Sequence, residues 1–222
     1  LAENESLQVV TELSPPYQTI TKNQVSGSAT QLVKDILSAA EIPASFDMYP
    51  WARAYAKALN EPNTLIYSMA KTTQRSELFH WLFPVAHYKF GLVAMSARAD
   101  LKIKNLNQLS NFVLAVQRDD IAHHWAIEQG LEEGKHLIIC SDIGCSWQLL
   151  LKNKVDFIVE SPELIDSMLA KYSLPTNLAE YVIAIPELEL TGYLAANKNI
   201  DTKLLRKLKL TIKNKDLSPK KK

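Results

Sequence analysis

The stretch "TLIYSMAKTTQRSELFHWLFPV", residues 64–85, puts an arginine directly behind an apolar run. With 64–70 read as a buried strand, Arg75 stands at its C-terminal end, where open α/β sheets receive ligands. A guanidinium is a planar fork of N–H donors that matches a carboxylate. Thr72 or Thr73 offers a hydroxyl beside it. The competing reading is a surface ion pair with Glu77 or a helix cap. A second group lies in "DDIAHHWAIEQ", where Asp119 and His123, Asp120 and His124, and His124 and Glu128 are each four apart. On a helix such pairs share a face. The favoured reading is a solvated face with local Asp–His pairing, and no residue is assigned as a metal ligand.

Cys140 and Cys145, in "IICSDIGCSW", are the two cysteines. They either close a small disulfide in an oxidising compartment or are unrelated, Cys140 buried on a strand and Cys145 at a helix start. The second Cys or His pair of a structural zinc site is missing. The sequence holds no G-x-S-x-G elbow, P-loop, G-x-G-x-x-G or H-E-x-x-H. Six glycines leave little for a phosphate-cradling loop, and no cofactor is called for.

The chain of 222 residues is 47% hydrophobic and 22% charged, a composition for one large domain or two small ones. A net charge of +1 gives no reason to expect a nucleic-acid partner, and the terminal "SPKKK" reads as a solvated end. No run of about 18 apolar residues is available for a membrane-spanning helix. The opening "LAENESLQVV" has neither an initiator Met nor an apolar signal core, which fits a mature form after signal removal or a chain cut to these bounds.

Elements that must position these residues alternate between strand and helix. Strands are expected at 7–12, 44–49, 64–70, 90–95, 112–117, 137–141, 155–160 and 181–186, with 190–197 running back across. Helices are expected over 30–42, with Ser28 or Thr30 as cap, and over 50–59, with Pro50 in the first turn. Further helices are expected near 120–130, over 146–153 and 162–172, and over 201–212 as an amphipathic closing helix. Strands separated by helices predict parallel α/β architecture. Residues 7–90 and 112–186 each make a complete α/β unit, so a cleft between two units is the expected binding place.

Several segments, in order, resemble the periplasmic solute-binding proteins of family 3, the amino-acid-type receptors of bacterial ABC importers. "VVTELSPPY" looks like the first strand and its PPY/PPF loop, and "GSATQLVKDILSAAEI" like the glycine and first helix. "SMAKTTQRSELFHWLFPV" looks like T-x-E-R-…-F-x-x-P, with Thr72, Arg75, Phe83 and Pro84 in register. "NLNQLSNFVLAV" looks like the start of the second lobe, and "LLLKNKVDFIVESPEL" like l-x-x-g-r-v-D-a-x-x-x-d, with Asp156 at the aspartate. "YPWARAYAKALNEPNTLIYSMAKTTQR" resembles a subgroup with a P-W-x-R-A helix. The matches span roughly 180 residues.

The resemblance implies a type II periplasmic-binding-protein-like fold. Two α/β lobes, residues 1–93 plus 191–222 and residues 94–190, would be joined by hinge strands "FGLVAMS" and "TGYLAAN" around a cleft. Arg75 would clamp a ligand carboxylate as the lobes close. Where relatives that bind α-amino acids carry Ser or Thr five residues before the arginine, this chain has Ala70; where they carry an acid for the ligand ammonium, Glu160 and Ser161 compete, Ser161 in the better register. The glycine pair after the second lobe's first strand is replaced by "QRDDIA". Position adds Tyr17 as an aromatic wall, Trp51 and Arg53 at the start of the second helix, Ser68 on the cleft strand, and Arg118 and Asp119 near a helix N-terminus. Trp147 is expected to pack the second lobe, and Asp156 to be structural.

The expectation is a monomeric periplasmic solute-binding protein that is not an enzyme. It would capture a small polar or anionic solute, an amino acid or related compound, and hand it to the membrane permease of an ABC importer. One rival is a sensor or interaction domain without transport. The other is a dehydratase-like enzyme on the same fold using Glu160 as general acid, although nothing in the sequence marks Glu160 as tuned. The ending "KNKDLSPKKK" lacks the glycine with which relatives close, so the chain is either truncated there or closes its first lobe differently.

Overall fold

The computed structural model describes residues 6–214. The expectations for "SPKKK" and for the chain's two ends lie outside them. Strand β1 (Leu7–Thr11) is buried along almost its whole length and pairs in parallel with β4 (Ala44–Met48) and β5 (Thr64–Ala70). Between them come a small hairpin, β2 (Thr19–Thr21) with β3 (Gln24–Ser26), and helix α1 (Ser28–Ala39). Neither Ser28 nor Thr30 caps α1. Gly27 does, at φ 110°, without a side-chain bond. A Cβ there would lie 2.3 Å from the Tyr17 carbonyl oxygen, so only glycine allows this approach. The Thr30 hydroxyl instead bonds the Ser26 carbonyl and the Tyr67 hydroxyl, both within 2.8 Å.

Helix α2 (Trp51–Asn60) starts one residue after Pro50, which is its N-cap. Its buried Trp51, Ala54 and Ala58 recur at helical spacing and pack on Val10, Ile66 and Met69. Asn197 bonds the carbonyls of Ala58 and Leu59 at 2.8 and 2.9 Å, holding the end of that helix.

Two long strands depart from the expected pattern. Residues 79–95 form one strand, β6 (Phe79–Met95), and residues 179–197 form another, β10 (Ala179–Asn197). They run antiparallel to each other, with irregular register near Ala184 and Glu189. The eight-stranded sheet therefore has the order β4-β1-β5-β10-β6-β9-β7-β8 and is mixed rather than all parallel. Its far end holds β7 (Leu114–Gln117), β8 (Leu137–Cys140) and β9 (Phe157–Glu160), mutually parallel about β7. A 3-10 turn (Leu106–Asn111) leads into β7.

Helices α3 (Ile121–Glu128), α4 (Ile143–Leu151) and α5 (Pro162–Lys171) flank this end, and α6 (Thr202–Asn214) returns to the first. Helix α4 begins three residues earlier than expected because the Asp142 carboxylate accepts from Cys145 N–H and caps it. Cys140 and Cys145 are joined by a disulfide that ties β8 to the first turn of α4. Asp156 precedes β9 rather than lying mid-strand, and its carboxylate accepts from Val113 N–H and Arg98. Buried clusters cover the sheet at both ends, one around Val33, Leu65 and Leu204, another around Trp147, Ile158 and Met168.

Candidate functional site

Between the two ends of the sheet lies a cavity of about 640 Å³, counting its opening to solvent. Arg75 forms part of its wall and is only 6% exposed. The turn after β5 sets its place: Arg75 N–H donates to the Thr72 carbonyl, and Leu78 N–H donates to the Arg75 carbonyl. Its guanidinium lies 4.9 Å from the Trp51 ring centre and 5.1 Å from that of Tyr55. Aromatic faces attract a cation and fix its plane, and among the described residues Arg75 makes no salt bridge. The competing reading, a surface ion pair with Glu77, finds no such pair among the described residues. Burial lowers the Arg75 pKa, while Tyr55, Asp120 and Glu12 pull it back up.

Three carboxyl groups line the same cavity: Glu12 just after β1, Asp120 before α3, and Glu160 at the end of β9. Burial pushes the Glu12 carboxyl up to about 8, with Asp120 adding to the rise and Arg75 and Gln117 opposing it. Its Oε2 atom is buried without a hydrogen-bond partner among the described residues. Burial also pushes Asp120 up to about 6, against the His123 backbone N–H, the His123 side chain and Arg75. Glu160, 4% exposed, is raised well above the usual carboxylate range, chiefly by burial. The Trp147 indole donates to its Oε1 at 3.3 Å. Ser68 completes the polar lining at φ 62°, its hydroxyl also buried and without a hydrogen-bond partner among the described residues. Gly192 makes room for that strained residue, since a Cβ there would lie 2.9 Å from the Ser68 Cα. Apolar walls come from Tyr88, Phe90, Ile143, Val159, Leu164 and Leu190. Burial pushes the Tyr88 phenol up to about 12, so it stays neutral.

Of the residues singled out in the sequence, the structure brings Arg75, Trp51, Ser68, Ala70 and Glu160 together on this cavity. The others lie elsewhere. Tyr17 donates to the His87 carbonyl and packs edge-on against Tyr88 behind the wall. Arg53 points away and stacks 4.6 Å over Tyr49. Thr72 supplies its carbonyl to the Arg75 turn. Ser161 is fully buried, donating to Glu163 and accepting from Lys89 N–H, so Glu160 holds the place the two contested. Arg118 and Asp119 are exposed beside the opening. The Asp119 carbonyl accepts the Trp51 indole N–H at 2.9 Å, a bond joining the two ends of the sheet. The 119–124 group is a local Asp–His arrangement, but His123 is buried rather than solvated.

Sequence reasoning missed Glu12, Gln117 and Asp120 as cavity residues. Glu12 carries the same signal as Arg75, since it ends a buried parallel strand.

No protein-family model matches the chain, and neither does any curated protein. Solved structures do match in fold. One is a histidine kinase sensor domain described as similar to periplasmic binding proteins, at 16% identity and TM-score 0.78, covering 94% of this chain and 89% of that one. An ancestral arginine-binding protein bound to glutamine matches at 17% and 0.78, covering 94% and 91%. An amino-acid ABC transporter substrate-binding protein of Streptococcus pneumoniae, bound to L-arginine, matches at 18% and 0.77, covering 94% and 88%. The fold is therefore that of the periplasmic-binding-protein-like amino-acid-binding proteins.

Proposed function

We propose that this chain captures a small amino-acid-like solute, one that presents a carboxylate and at least one positive group, for an ABC-type importer. One observation carries the reading: a buried guanidinium with no ion pair among the described residues, and three carboxyls that are buried or partly buried, face a single cavity. Desolvating such groups costs several kcal/mol each unless an opposite charge meets them. A ligand carboxylate on Arg75 and a ligand ammonium or guanidinium near Glu12 and Asp120 would satisfy both sides at once. The arginine- and glutamine-bound neighbours carry that charge pattern in their ligands, which supports the same reading.

In this account residues 1–93 with 191–222 and residues 94–190 act as two lobes, and β6 and β10 act as the hinge. The Trp51–Asp119 bond latches the two lobes together. The location is periplasmic, and the partner is a membrane permease. The sensor-domain neighbour favours a second reading, in which the same binding event feeds a signalling partner instead of a transporter.

Thermal unfolding against amino acids, small carboxylates, polyamines and sugars tests the proposal. A ligand at 100 times its dissociation constant adds about 2.7 kcal/mol, a rise of roughly 5–10 °C for a chain of this size. The expected hits are amino acids, lost in Arg75→Met, which keeps a stem between the aromatic rings without the charge. Hits confined to sugars, or amino-acid hits unchanged in Arg75→Met, would overturn it. Importer genes beside the coding gene would separate transport from sensing.

A further inference from the structure

Residues 117–120 form a tight turn that carries two features of the site, the Asp120 carboxyl in the cavity and the Asp119 carbonyl that meets Trp51. Asp119 holds φ 58°, a left-handed conformation that needs outside support in a non-glycine residue. That support comes from His123. The Asp119 N–H donates to His123 Nδ1 at 3.1 Å, and the His123 N–H donates to Asp120 Oδ1 at 2.7 Å. His123 Nε2 lies 3.1 Å from Glu133 Oε1. A ring nitrogen that accepts from a backbone N–H must carry its lone pair, so the ring proton sits on Nε2 and is donated to Glu133. The residue is thus held in one neutral tautomer by partners on both sides.

We infer that His123 is a positioning residue for closure, its neutral Nε2–H tautomer holding the 117–120 turn so that Asp119 meets Trp51 and Asp120 faces the ligand. This rests on the binding reading above. A second proton on Nδ1 would set two donors against each other at the Asp119 amide. The turn would then have to shift, and the bond to Trp51 with it. Facing the imidazole are Glu133 from the segment after α3, Asp120 from the turn, and His124, stacked with ring centres 5.8 Å apart. Asp120, pushed up to about 6, titrates as well, so a pH profile of the wild type alone would not assign a step to either group.

NMR on the ¹⁵N-labelled full chain separates them without any ligand. At pH 8 the His123 ring nitrogens should show the Nε2–H tautomer, and the Trp51 indole N–H should exchange slowly. On acidification the Asp119 amide and Trp51 indole signals should move together, with the midpoint of the His123 ring, and indole exchange should quicken at least tenfold. His123→Asn places an amide oxygen near Nδ1 and cannot titrate, so it should keep the indole protected and remove this step, leaving only Asp120's. His123→Gln keeps a donor for Glu133 but loses the Nδ1 acceptor, and it should unlatch the indole at every pH. The inference is overturned by an Nδ1–H tautomer at pH 8, by an indole unprotected there, by an indole indifferent to the His123 midpoint, or by His123→Asn retaining the wild-type step. These readouts need no solute, so a silent ligand panel beside them would count against the binding reading alone.

Discussion

The raised carboxyl of Glu12 makes proton release on binding a quantitative test of the site. With its pKa near 8, Glu12 is about nine-tenths protonated at pH 7 in the free protein, and Asp120, near 6, is about one-tenth protonated. A ligand cation beside them favours the ionised forms. Binding at pH 7 should therefore expel about one proton in all, most of it from Glu12. Calorimetric titration with L-arginine, or whichever amino acid stabilises the protein, reads this directly. The apparent enthalpy should change between phosphate, imidazole and Tris, with a slope of about one proton. At pH 8, where Glu12 is already about half ionised, the slope should fall to roughly half a proton. Glu12→Gln should reduce the pH 7 slope to roughly a tenth of a proton. An enthalpy independent of buffer at pH 7 would refute the reasoning, as would full proton release in Glu12→Gln.

Four further outcomes follow. The free protein should lose stability as pH rises, since the Glu12 contribution is complete below about 4.5, the ordinary value, and gone once pH passes about 8; denaturant unfolding at pH 5 and pH 8.5 checks it. Glu160→Gln should change affinity less than about fivefold, because burial already favours the uncharged carboxyl that glutamine mimics, whereas a binding role as an anion would cost far more. Gly192→Ala drives a Cβ into Ser68 and should destabilise by about 1–3 kcal/mol, visible in the melting temperature. Reducing the Cys140–Cys145 bridge reopens a short loop worth about 2 kcal/mol on chain entropy, so melting should fall by several degrees in reductant.

Much of the frame was legible in the sequence because local signals wrote it. Strand β5 with its trailing Arg75 and the Pro50 boundary of α2 both announce themselves within a few residues. The long strands did not. Pairing of β6 with β10 joins positions about a hundred residues apart, and Pro84 with the 184–189 irregularity breaks the alternation that marks a strand. In the site, Arg75, Ser68 and Glu160 could be placed because each sits at or near a strand end. Asp120 was hidden inside a motif whose spacing suggested one helix face, when it is in fact the N-cap of α3. Arg53 and Tyr17 show the converse: each is near the cavity in sequence, yet local stacking on Tyr49 or a bond to the His87 carbonyl takes it away.

The central claim is that the cavity needs both charges of its ligand. Calorimetric titration with the best-binding amino acid, its carboxamide and its deamino acid tests this most directly. The account expects each modified form to bind at least a hundredfold more weakly, the carboxamide through Arg75 and the deamino acid through Glu12 and Asp120. A deamino acid or carboxamide that binds as tightly as the parent would contradict it.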